Sequence, residues 1–209
     1  AKIPVESERD HRVSMRRIGV IGGTFDPIHN GHLLLARFAR EEIPLDEVLF
    51  VPAADPPLKR VTFAPAHERL AMVELAVEGI NDFSTSSVEL DRPGRSYTVD
   101  TLRTLREQNP GAGLFFIIGT DNATQMNSWY DPDGIFDLCT VVAGSRSTNT
   151  SGGDPRLVNR LLFIETPLFD VSSTQIRTRL ADGLSIRAMV PESIEAHISA
   201  KGLYAAPCS

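Results

Sequence analysis

Arg17-Ile18-Gly19-Val20-Ile21-Gly22-Gly23-Thr24-Phe25-Asp26-Pro27-Ile28-His29-Asn30-Gly31-His32 is the stretch on which the fold turns. Its first six residues are a short apolar run that ends in glycine, the pattern of a buried strand. Gly22 and Gly23 allow close backbone approach, and Asp26-Pro27 turns the chain. From 30 to 42 the pattern becomes helical, with Leu34 and Phe38 on one face. A strand, a glycine turn and a helix start bring unpaired backbone N–H groups to the carboxyl end of the strand, where they favour an anion. The spacing is not the Gly-x-Gly-x-x-Gly of dinucleotide-binding proteins, and no Walker A loop is present. Ordinary dehydrogenases and P-loop enzymes are therefore disfavoured.

The alternation continues outward. Residues 48–51 read as a second strand, and Pro56-Pro57-Leu58-Lys59 as a loop. Residues 66–80 read as a helix with Leu70, Val73, Val77 and Ile80 at amphipathic spacing. A third strand is expected at 84–90, and a helix at 98–108 that Pro110-Gly111 terminates. The purely apolar 114–118 suits the middle of a parallel sheet. Strands follow at 141–143 and 161–164, with a Ser-, Thr-, Asn- and Gly-rich surface loop at 147–154 between them. Closing helices are expected at 173–180 and 191–200. The order predicts one α/β domain: a Rossmann-like, doubly wound, mostly parallel sheet with helices on both faces. That domain spans 17–205, and 1–16 reads as a leader outside the fold. Ligands are expected at the carboxyl ends of the strands, near the point where strand order reverses.

Composition narrows the partners. Of 209 residues, 21 are Lys or Arg and 27 are Asp or Glu, giving a net charge of -6. Such a balance argues against nucleic acid as a partner, and no apolar run reaches the ~20 residues that span a bilayer. The two cysteines, Cys139 and Cys208, form no Cys-x-x-Cys pair, so neither a zinc cluster nor a disulfide framework is expected. The reading is a reducing, cytoplasmic compartment. Homo-oligomerisation is left open.

Two segments can carry chemistry. His29 and His32, three residues apart at a helix start, can donate hydrogen bonds to phosphate oxygens; the same spacing also fits a metal pair or surface packing. In Val171-Ser172-Ser173-Thr174-Gln175-Ile176-Arg177, hydroxyls at a helix start can cap it or hold a phosphate, with Arg177 one turn on as a two-pronged partner. Taken alone, that segment reads as a plain cap.

Together, the two segments resemble the adenylyl- and cytidylyltransferase superfamily and, within it, the bacterial nicotinate-nucleotide adenylyltransferases. The resemblance runs from about Arg17 to Tyr204. It takes in Pro56-Pro57-Leu58-Lys59, Ser96-Tyr97-Thr98-Val99-Asp100-Thr101-Leu102, Ile118-Gly119-Thr120-Asp121 followed by Trp129, and Ile186-Arg187-Ala188-Met189-Val190-Pro191. Leu58 stands where many members have histidine, Thr120 where alanine is common, and Ala188 where an aromatic is common.

The resemblance implies an adenylyltransferase that joins ATP to nicotinate mononucleotide. His29 and His32 would bind the ATP phosphates, with Lys59 near the reacting centre. Gly22, Gly23, Thr24 and Phe25 would line the nucleotide site, and Gly119 and Asp121 would face the ribose. Ser173, Thr174 and Arg177 would hold pyrophosphate, and Thr98 and Trp129 the nicotinate end. As the only tryptophan, in a polar stretch, Trp129 is expected to face ligand rather than core. Magnesium would be carried by the ATP phosphates, with no metal-ligand set in the chain. The nearest alternative is a sister enzyme using nicotinamide mononucleotide or phosphopantetheine. A nucleotide-binding regulator without catalysis, or a zinc hydrolase using His29 and His32, lies further off.

Overall fold

A computed structural model describes residues 15–57, 61–145, 153–167 and 170–205. Lys59, Leu58, Cys208, most of the expected 147–154 loop and nearly all of the leader lie outside the described residues.

Six strands form one sheet: β1 (Arg17–Gly23), β2 (Glu47–Pro52), β3 (Phe83–Thr85), β4 (Gly113–Gly119), β5 (Thr140–Ser145) and β6 (Leu162–Glu165). Their order is β3-β2-β1-β4-β5-β6, and every pairing is parallel. This is the doubly wound order with its reversal between β1 and β4. The expected mostly parallel sheet is, among the described residues, wholly parallel.

Side chains alternate across the sheet as the strand period requires. Ile18 and Val20 of β1, Leu114, Phe116 and Ile118 of β4, and Val141 and Ala143 of β5 face one layer. That layer is closed by α3 (Thr98–Gln108), α4 (Thr120–Gln125), α5 (Pro132–Leu138) and α6 (Pro155–Val158), through residues such as Leu102, Ala123, Ile135 and Leu157. Ile21, Ile117 and Val142 face the other layer. There α1 (Asn30–Glu42), α2 (Ala66–Val77), α7 (Ser173–Ala181) and α8 (Glu192–Lys201) pack through Ala36, Met72, Ile176 and Ile194. No helix among the described residues is long and apolar enough to cross a membrane.

Three sequence expectations change. The third strand is three residues long, not seven, because it is an edge strand paired only with β2. In α1 the residues fully buried are Ala36 and Ala39, with Leu33 and Leu35 beside them, while Leu34 and Phe38 are half-buried on the flank. In α2 the buried face carries Arg69, Met72, Val73, Ala76 and Val77, while Leu70 is only half-buried.

The sheet opens where the site is expected. β1 and β4 pair from Arg17↔Gly113 to Val20↔Phe116 and no further. Beyond that, Ile21 to Gly23 pair only with β2, and Ile117 to Gly119 only with β5. The two strands thus part at their carboxyl ends, leaving a crevice with Gly22 and Gly23 on one side and Gly119 on the other.

Candidate active site

The turn after β1 is built around a strained aromatic. Phe25 has φ 49°, a region that costs non-glycine residues energy and recurs at functional sites. Its ring is 2% exposed, 6.0 Å from the Phe50 ring and edge-on to His32 at 5.0 Å. A side chain at Gly23 would meet that ring at 3.1 Å, so glycine is needed here for the protein's own packing. Phe25, expected along the nucleotide site, turns its ring into the core, where it supports His32.

His29 is the N-cap of α1, and its ring stacks on that of His32 with centroids 3.7 Å apart. The His29 backbone N–H donates to His32 Nδ1 at 3.2 Å. A neutral His32 therefore carries its proton on Nε2, as a donor. His29 is 6% exposed, and its Nδ1 is buried without a hydrogen-bond partner. Burial lowers the His29 pKa from 6.5 to about 4, so the ring is neutral at pH 7.

This shift has a measurable consequence. Between pH 6.5 and 4 the unfolded chain binds a proton at His29 that the folded chain does not. Stability should therefore fall as pH drops through that window, by up to about 3 kcal/mol from this group. Below pH 4 both states are protonated and the loss levels off. Urea unfolding at pH 7 and pH 4.5 should show the wild type losing more stability than His29→Gln. Equal losses would mean that His29 is not held neutral.

The second candidate segment is bonded directly to the first. Ser173 Oγ donates to the Pro27 carbonyl at 2.9 Å, and Arg177 Nη1 to the Asp26 carbonyl at 2.7 Å. Arg177 Nη2 donates to Thr174 Oγ1 at 3.1 Å. Ser172 is the true cap of α7, accepting from Gln175 N, so capping occupies Ser172 and leaves Thr174 and Arg177 for other work. The next loop closes the contact: Asn30 N donates to the Met189 carbonyl and Asn30 Nδ2 to that of Ala188.

The residues expected on the acceptor side come from other elements. Thr98, half-buried, is the first residue of α3, where N–H groups lack helical partners. Ser96 just before it is spent on structure, its Oγ accepting from Ala54 N (3.0 Å) and Asp55 N (3.2 Å). Tyr97 lies 4.6 Å from Tyr130, ring to ring, which brings the start of α3 to the Trp129 segment. Trp129 is half-buried and edge-on to Phe116 at 5.9 Å. Its indole Nε1 is buried and without a partner. The expectation of a ligand-facing tryptophan is corrected in part: the ring also packs against the core. That same Phe116 ring lies 3.5 Å from where a Gly22 side chain would begin, at the edge of the crevice. Across it, Gly119 caps α4, and Asp121 is exposed in its first turn. Thr120 Oγ1 donates to the Gly144 carbonyl at 2.9 Å, tying α4 to β5.

Several residues the sequence did not reveal hold these parts together. Asp26 accepts from Phe63 N, Ala64 N and the Tyr204 hydroxyl. Arg69, 0% exposed, donates to the carbonyls of Thr24 (2.7 Å), Ala53 (2.6 Å), Ala54 (3.2 Å) and Ala64 (3.2 Å). Buried Glu89 accepts from Thr101 Oγ1 at 2.6 Å, and burial raises its pKa. Of these, Asp26 stood inside the quoted motif, while Arg69 and Glu89 carried no local signal. Cys139 has no part here, because burial pushes its thiol up to about 12.

A parallel sheet that parts at its reversal point, with a glycine turn and stacked histidines at the opening, defines a nucleotide-binding α/β protein. A family profile described as cytidylyltransferase-like matches residues 20–179. A relative in Thermus thermophilus is 46% identical over 188 residues, covering 90% of this chain and 99% of that protein. Another in Tropheryma whipplei is 42% identical over 184 residues, covering 88% and 97%. Both are named "probable nicotinate-nucleotide adenylyltransferase". The solved structure of Plasmodium falciparum nicotinic acid mononucleotide adenylyltransferase complexed with NaAD shares the fold, with a TM-score of 0.74 at 19% identity, covering 90% of this chain and 97% of that one. The chain therefore belongs to the cytidylyltransferase-like family, and within it to the nicotinate-nucleotide adenylyltransferases.

Proposed function

We propose that this chain transfers the adenylyl group of ATP to the phosphate of nicotinate mononucleotide, giving nicotinate adenine dinucleotide and pyrophosphate on the route to NAD. The observation that carries this reading is the joining of two phosphate-binding segments: Arg177 and Ser173 bond to the backbone of Asp26 and Pro27, beside the stacked histidines.

A mononucleotide phosphate oxygen attacks the α-phosphorus of ATP. The bond to the bridging α–β oxygen breaks, and pyrophosphate leaves with that electron pair. The nucleophile is already an anion, so no general base is required. The protein's work is to hold two anionic substrates in line and to spread the developing charge. Neutral His29, and His32 through its Nε2–H, offer N–H donors to the triphosphate, and Ser173, Thr174 and Arg177 take the departing pyrophosphate. Gly22, Gly23 and Thr24 line the nucleotide, and Gly119 and Asp121 face its ribose; the family resemblance alone assigns Lys59 to the reacting phosphates. Among the described residues, no group of three or more His, Cys, Asp or Glu could hold a metal. Magnesium would be carried by triphosphate oxygens and water, and neutralising phosphate charge is the chemistry it would supply.

Thr98 and Trp129 take the pyridine. Its ring is a cation when joined to ribose, and an aromatic face attracts it by ~0.5–2 kcal/mol. The N–H groups at the start of α3 can only donate, and the Thr98 hydroxyl can donate beside them. They suit a carboxylate, which accepts at both oxygens, better than an amide, which turns its own N–H toward one of them. Pyrophosphate release from ATP with a panel of pyridine mononucleotides tests this. Nicotinate mononucleotide should be preferred, and Trp129→Ala should raise its KM by about 2- to 30-fold with little effect on that of ATP. Equal rates with acid and amide would remove the substrate assignment but leave adenylyl transfer standing. Turnover of phosphopantetheine alone would replace it with the sister reaction.

A further inference from the structure

Phe63 is a large aromatic left 64% exposed, and hydrophobic burial does not explain its position. One face of its ring is covered by the Arg177 guanidinium, 4.3 Å from the centroid. Its backbone N–H donates to Asp26 Oδ2 at 2.8 Å, and that of Ala64 to Asp26 Oδ1 at 3.1 Å. The Asp26 main-chain carbonyl in turn accepts from Arg177 Nη1. One aspartate thus holds both partners of the stack: its carboxylate fixes the strip carrying Phe63, and its carbonyl fixes the arginine.

We propose that Phe63 is a positioning residue that holds the Arg177 guanidinium in the plane from which it receives pyrophosphate. The inference rests on the reading of Arg177 given above. Two in-plane hydrogen bonds, to the Asp26 carbonyl and Thr174 Oγ1, stop the guanidinium from sliding. They leave it free to tilt about the line joining them, and a ring against its face removes that tilt. Of the five N–H groups of an arginine, two are spent in these bonds and three remain for phosphate oxygens. An arginine already ordered before the ligand arrives loses less freedom on binding it.

The test is the affinity for pyrophosphate in the reverse reaction, from nicotinate adenine dinucleotide to ATP. Phe63→Ala and Phe63→Leu should each weaken pyrophosphate binding about two- to fivefold, the range for an exposed cation–aromatic pair. The KM for the dinucleotide and the thermal midpoint should hardly move, because the ring buries little. Phe63→Trp, which keeps an aromatic face, should retain wild-type affinity. In an Arg177→Ala background, Phe63→Ala should add nothing. Unchanged pyrophosphate affinity in Phe63→Ala or in Phe63→Leu, or additive losses in the double variant, would overturn the positioning role while the site assignment stood. Unchanged pyrophosphate affinity in Arg177→Ala alone would overturn both.

Discussion

Replacing His29 or His32 with alanine should lower turnover by about 100-fold or more, the usual cost of removing one donor that acts on developing charge. The structure gives each ring a separate reason. His32 receives the His29 backbone N–H on Nδ1, so its proton sits on Nε2 in the neutral ring. His29 is held neutral by burial, so its ring keeps one N–H to donate. The Phe25 ring supports His32 and the His29 ring stacks on it, so the donors are fixed before substrate arrives. His29→Ala therefore removes both a donor and the support of its neighbour, and should cost at least as much as His32→Ala. The checks are steady-state turnover and circular dichroism on both variants. Near-normal turnover with an unchanged spectrum would mean that the pair is packing only.

The parts legible in the sequence are those governed by local pattern. β4 is apolar at 114–118, and a strand buried on both faces leaves that mark. α1 and α3 begin and end where their helical patterns do. α4 and α5 were not legible. α4 is a six-residue polar helix with one buried residue, so it has no apolar period to detect. α5 did carry a signal: Asp131 accepts from Gly134 N, and Pro132 stands in the first turn. That is a helix start, yet Asp-Pro-Asp-Gly also fits a turn. The candidate site divides the same way. Its proposed phosphate-binding residues lie mostly in two short motifs, whereas the residues that fix those motifs in space are scattered. Asp26 meets Tyr204 across 178 positions, and no periodicity within one segment can reveal such a partner.

Arg69→Met should be the most destabilising single change in the region, costing about 3–5 kcal/mol, as when one side of a buried charged cluster is removed. Methionine roughly fills the space, so the loss would be electrostatic rather than a cavity. Four carbonyls, those of Thr24, Ala53, Ala54 and Ala64, would lose their donor, and an unpaired buried polar group costs about 1–3 kcal/mol. Burial lowers the pKa of Arg69, opposed by the negative charge of Asp26 and Glu89, which methionine would leave unbalanced. For a domain of this size such a loss moves the thermal midpoint by roughly 6–20 °C. Arg69→Lys should recover only part of it, because three tetrahedral donors cannot reproduce a planar fork that reaches four carbonyls. The functional consequence follows from where those carbonyls sit. Thr24 belongs to the turn that carries the histidines. Ala54 belongs to the loop on which Ser96 sets the start of α3. Among the described residues Arg69 is the one side chain bonded to both, so a lysine variant that still folds should show a raised KM for ATP and for the mononucleotide together. Thermal unfolding and two-substrate kinetics on Arg69→Lys and Arg69→Met decide the matter. A midpoint within a degree or two of wild type in both would show that Arg69 does not tie the turn after β1 to the loop that sets the start of α3.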